Sequence, residues 1–135
     1  MDDILEFLVR YGSFLYKDMS CRFVDSQVSS SFGGDAFLIL ATDKVRFRLV
    51  RDRGQLFGDF QEVSAVPNDE WFSIDIVRKH LTGEPGYYSE LNSENAVFLK
   101  EHFRSIENLF ESSSLTETQK QLHKLEAERA KELFG

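Results

Sequence analysis

Three imidazoles, one thiol and a short run of arginines are the side chains here with chemistry to offer. His80, His102 and His123 fall on three separate predicted helices, and none has a second histidine one turn away. The spacing therefore contains no His-x-x-x-His ligand pair, and no metal site is expected. Cys21 stands alone, so it makes no internal disulfide and no zinc site by itself. Its use as a nucleophile would require a histidine brought beside it by the fold. A free cysteine at the edge of a predicted strand is expected to be buried. The chain has no Gly-x-Ser-x-Gly elbow, no Walker loop and no dinucleotide fingerprint. Gly33-Gly34 is explained by a turn, and no cofactor is expected.

The arginines are the best catalytic candidates. Arg46 and Arg48 precede Val50-Arg51-Asp52-Arg53-Gly54-Gln55, and residues 44–54 carry five basic side chains against one acidic. Arginines beside carboxylates can grip a phosphate or orient a water, so Arg46, Arg48, Arg51 and Arg53 form a candidate anion-binding set. The competing reading is structural: Asp59, on the next strand, pairs with Arg46 or Arg48 across the sheet, and Asp52 caps its own turn. As an RNA platform the strand is poor, because bases stack on exposed aromatics and Phe47 alternates with the arginines toward the core. No catalytic residue is assigned.

Binding energy concentrates in tryptophan, tyrosine and arginine. Trp71, the one tryptophan, follows Asp69 and Glu70, while Tyr87 and Tyr88 lie between Glu84 and Glu90. These two acidic, aromatic loops flank a predicted helix. Asp69, Glu70, Trp71, Tyr87, Tyr88 and Glu90 are thus the candidate partner-binding residues. The alternative for Trp71 and Phe72 is a hydrophobic staple at the helix entry.

The elements that must position these groups follow from hydrophobic period. Ile4, Leu8, Tyr11 and Leu15 share a stripe that predicts a helix over 3–16, weakened by Gly12. From Arg22 to Phe60 the period becomes two. Strands are expected at 23–28, at the apolar run 36–41, at 45–50 and at 56–60, the run being read as a central strand covered on both faces. Their short reversals require an antiparallel meander. Ser73 is the expected cap of a helix over 74–82 that Gly83 stops. Ser93 is the expected cap of a helix carrying Ala96, Leu99, Phe103, Ile106 and Phe110. Ser114-Leu115-Thr116-Glu117 fits a capping box for a charged helix running to about Phe134, with a narrow apolar stripe suited to the domain or to a second copy. The pattern is α+β: a four-stranded antiparallel meander over about residues 22–60, with an N-terminal helix and two or three C-terminal helices packed on one face. Residues 1–111 form one expected domain, and 112–135 an appended charged helix able to contact a partner or a homodimer mate through 115–134.

A chain of 135 residues with 41% hydrophobic side chains and 13 phenylalanines can bury one aromatic-rich core. Its longest apolar run is too short to span a bilayer. The start Met1-Asp2-Asp3 lacks the basic, apolar character of a secretory signal. With one cysteine, these features suggest a reducing cytoplasm and no membrane partner. A net charge of −7 argues against general nucleic-acid binding and suits a basic partner.

Tyr11-Gly12, Phe23-Val24-Asp25-Ser26, Phe32-Gly33-Gly34-Asp35-Ala36, Val50 to Gln55, Glu70-Trp71-Phe72-Ser73 and the helix from Phe98-Leu99 to Phe110 together carry a resemblance. Over about residues 7–111 the chain resembles small bacterial immunity-type proteins found beside contact-dependent growth inhibition and other polymorphic toxins. The resemblance implies a cytosolic antidote that covers the active site of a cognate toxin, often a basic nuclease. It transfers no binding residue by motif. The rival functions are an interaction module unrelated to toxins and a small phosphate- or RNA-binding domain on the Arg46–Arg53 strand.

Overall fold

The computed structural model describes residues 1–29, 35–65, 69–84 and 90–134. Helix α1 (Asp2–Arg10) begins with two aspartates, where unpaired backbone N–H groups favour negative charge, and it buries Ile4, Phe7 and Leu8. The single helix expected over 3–16 is instead two, with α2 (Phe14–Lys17) following a break. Gly12 is the reason. Its N–H reaches back to the carbonyls of Phe7 and Leu8, and a Cβ there would stand 3.2 Å from the Leu8 side chain.

Strands β1 (Arg22–Val28), β2 (Ala36–Ala41), β3 (Val45–Asp52) and β4 (Gln55–Glu62) form the expected antiparallel meander. A fifth strand, β5 (Phe72–Ser73), extends it at the β4 edge, where Phe72 stands opposite Phe60 and Ser73 opposite Asp59. Two residues are too few to leave a readable alternation. The β3–β4 reversal has Arg53 at φ 52° and Gly54 at φ 82°, the double positive φ of a tight hairpin matched to strand twist.

All the large helices serve one face of the sheet. Ala36, Leu38 and Leu40 of β2 turn inward with Phe47, Leu49 and Phe60 and are buried, whereas Phe37 and Ile39 point the other way and are half-buried. The two-sided cover expected for β2 is therefore corrected to one-sided burial: its unbroken apolar run serves both the core and an uncovered face. Inside, the rings of Phe47 and Phe60 stack at 4.7 Å, and Phe110 joins Phe60 and Phe72 at 6.4 Å each. Packing is tight enough that a Cβ on Gly58 would lie 2.9 Å from both Phe47 and Leu91.

Helix α3 (Ile74–Thr82) starts at Ser73 and ends on Gly83 at φ 75°, as its sequence predicts. The Ser73 hydroxyl makes no capping bond; it accepts one from Arg129 at 3.3 Å. Helix α4 (Ser93–Leu109) is capped by Asn92 rather than Ser93. Asn92 has the extended backbone a cap requires, and its side chain accepts the Asn95 N–H at 2.9 Å. Helix α5 (Leu115–Phe134) lies along α3. Thr118 and Leu122 are buried, Leu115 and Leu125 pack against the core, and Leu133 and Phe134 remain exposed. No helix of the described residues is long and apolar enough to cross a membrane.

Candidate functional site on the open face of the sheet

The face of the sheet turned away from the helices forms a groove of about 560 Å³. Its lining includes Val24, Phe37, Ile39, Arg46, Arg48 and Trp71, and among the described residues none of it comes from a helix. Strand alternation explains the composition: Ile39, Arg48 and Asp59 stand side by side across three strands, as do Ala41, Arg46 and Gln61. A bulge in β1 between Phe23 and Asp25 brings Val24 and Asp25 to the same rim.

Both arginines are held in place. Arg48 donates from Nη2 at 2.9 Å and from Nε at 3.3 Å to one oxygen of Asp59, and its guanidinium carbon lies 4.3 Å from the centre of the Trp71 ring. A cation over an indole face in a half-buried setting contributes about 0.5–2 kcal/mol. Arg46 donates to Gln61 Oε1 at 3.0 Å and to the Ala65 carbonyl at 2.9 Å. Gln61 is buried and donates in turn to the Asp69 carbonyl at 3.0 Å, which fixes the chain just before Trp71. The rigid anchor of this face is thus Trp71 on Arg48 on Asp59.

The four arginines of the anion-binding set do not converge. Arg51 belongs to the helix-covered side and pairs with Asp3 of α1 at 2.7 Å. Arg53 sits in the hairpin turn, largely exposed, 4.0 Å from Asp52. The partner-binding set divides as well. Asp69 and Glu70 are exposed on the approach to Trp71. Glu90 returns to the same sheet edge opposite Phe57, but lines a separate hollow of about 270 Å³ with Asp3, Glu6, Arg10 and Tyr11. Tyr87 and Tyr88 lie outside the described residues, as does the Gly33-Gly34 turn.

Cys21 is buried just before β1. Burial, reinforced by the Glu107 carboxylate and opposed by Arg104, pushes its thiol up to about 12, so it stays protonated and unreactive at neutral pH. His102 packs its ring 5.0 Å from Phe98. His123 is differently placed. Its Nε2 is 3.1 Å from Glu70 and its Nδ1 3.5 Å from Glu126, while the ring meets Phe72 edge-on at 5.2 Å. This cluster joins α5 to a loop far away in the chain, so no ligand spacing could disclose it; the one local signal is the i,i+3 pair His123 and Glu126.

Comparison of the chain with protein-family models, with curated proteins and with solved structures finds no match. The function must therefore be argued from the site. The groove is broad and open, with apolar patches around a fixed aromatic–cation pair. Arg46 and Arg48 are already engaged by Gln61, Ala65 and Asp59, and the remaining arginine of the lining, Arg22, is exposed 3.8 Å from Asp43, so the fixed pair suits contact with a protein surface.

Proposed function

We propose that the chain is a non-catalytic binding protein of the immunity type, which neutralises a cognate bacterial toxin by laying the open face of its sheet over the toxin's active site. The observation that carries this reading is the uncovered sheet face itself, where Trp71, fixed over Arg48, stands beside Phe37, Ile39 and Val24. A large aromatic and an arginine held in one geometry before binding lose little freedom on docking, the usual property of an interface hot spot. The net charge of −7 and the exposed Asp69 and Glu70 near Trp71 favour a basic toxin, and carboxylates there would steer its approach. The sequence resemblance to immunity-type proteins supplies the toxin as partner and the cytoplasm as the place of action.

The test is protection from, and binding to, the toxin domain of a polymorphic-toxin gene adjoining this one, whose presence the reading predicts. Trp71→Ala and Ile39→Asp should each weaken binding by about 30-fold or more, the effect of losing roughly 2 kcal/mol at a hot spot. Val97→Asp, at an exposed position on α4, should leave it unchanged. Full protection by both face variants would reject the open face as the toxin-binding surface, and absence of any binding by the folded wild type would reject the toxin reading.

A further inference from the structure

One side-chain cluster lies outside the open face. Glu70, on the chain leading into β5, meets His123 and Glu126 of α5, and one ligand atom from each lies within 4.8 Å of the other two. His123 and Glu126 are three residues apart on a helix, so both project from one side, the spacing by which helices present a histidine and a carboxylate to a common metal. The two carboxylates face each other across the imidazole. Two negative groups held so close repel unless a proton or a cation stands between them. Glu126 Oε1, the atom 3.5 Å from His123 Nδ1, is cut off from solvent and has no hydrogen-bond partner among the described residues, so one acceptor of the cluster is unsatisfied there. Beside Glu70 and His123 opens a hollow of about 360 Å³, lined also by Glu62, Asp69 and Gln119, with room for water to complete a coordination shell.

We propose that Glu70, His123 and Glu126 form a three-ligand site for a divalent transition-metal ion of the zinc class, which clips α5 to the chain entering β5. One nitrogen and two carboxylate oxygens are a donor set that such ions accept, with solvent in the fourth position. Tetrahedral ligands about 2.1 Å from a zinc ion stand about 3.4 Å apart, so side-chain rotations of about an ångström would close the site.

The experiment titrates chelator-treated full-length protein with Zn²⁺ by calorimetry and with Co²⁺ by visible absorption. One equivalent should bind, with the absorption of a low-coordinate Co²⁺ site. Zinc at a hundredfold excess over its dissociation constant should raise the midpoint of thermal unfolding by roughly 10 °C. His123→Ala and Glu126→Gln should abolish both signals. Glu70→Gln changes an exposed loop residue whose loss does not threaten the fold, and should weaken binding at least tenfold. His102→Ala should bind as the wild type does. No zinc uptake by the wild type, or uptake that survives both Glu70→Gln and His123→Ala, would overturn the proposal and leave the cluster as a histidine set beside two carboxylates.

Discussion

Replacing Arg129 by methionine should strand a charge in the middle of the helical layer. Asp75, in the first turn of α3, has a side chain only 1% exposed; Arg129 Nη1 bonds its Oδ2 at 2.5 Å, and its Oδ1 has no partner among the described residues. Methionine keeps much of the apolar stem but removes the guanidinium paired with Asp75. Breaking a buried ion pair from one side costs about 3–5 kcal/mol. The lower end applies, because Arg129 keeps a third of its surface in water and the α3 N-terminus offers some compensation to a carboxylate. A loss of about 3 kcal/mol lowers the thermal midpoint of a domain this size by roughly 10 °C. Urea and thermal unfolding followed by circular dichroism measure both quantities. The double variant Arg129→Met with Asp75→Leu removes the stranded charge and should recover more than half of the loss, because exchanging a buried pair for apolar side chains is nearly neutral. A single-variant loss below about 1 kcal/mol, or no recovery in the double variant, would show that α5 does not seal Asp75 from water.

Other expectations follow from the same packing. Gly58→Ala forces a methyl group against Phe47 and Leu91 and should cost about 1–3 kcal/mol, visible as a lower urea midpoint at unchanged m-value; an unchanged midpoint would mean that the two side chains yield freely. Cys21 should resist iodoacetamide at pH 8 in native protein and react only on unfolding. Because burial raises its pKa from 9.0 to about 12, the native state holds the thiol proton more tightly than the unfolded state does. Its contribution to stability is therefore complete below about pH 9 and is lost as pH climbs from there toward 12. Rapid native labelling would contradict this burial. Asp69→Lys should slow association with the proposed basic partner by up to about tenfold at low salt and much less at high salt; a salt-independent rate would remove Asp69 from the steering surface.

Much of the fold was legible because strands and turns write themselves locally. Alternation in Val45 to Val50, the Arg53-Gly54 reversal and the Gly83 stop each depend on neighbours within a few residues. Features that depend on tertiary fit were not. The weakness at Gly12 was legible but the full split into two helices was not, and Asn92 takes the cap from Ser93 because the chain is extended at Asn92 and already helical at Ser93. Phe72 becomes a strand only by finding Phe60. The site was legible to a similar depth. Trp71 drew notice from its type and its acidic neighbours, and Asp59 from its position across the sheet from Arg46 and Arg48. Phe37 and Ile39 went unnoticed as surface residues, since a continuous apolar run does not disclose which of its faces lacks a cover. Glu70 and His123 are brought together only by the docking of α5 on α3.

Trp71 is the only tryptophan in the chain, so its emission reports directly on the open face. Titrating the proposed cognate toxin domain, with its own tryptophans replaced, into this protein should give a saturable change in Trp71 emission at one-to-one stoichiometry. Tight binding with Trp71 emission unmoved would mean that the toxin sits elsewhere and that the uncovered sheet face is not its seat.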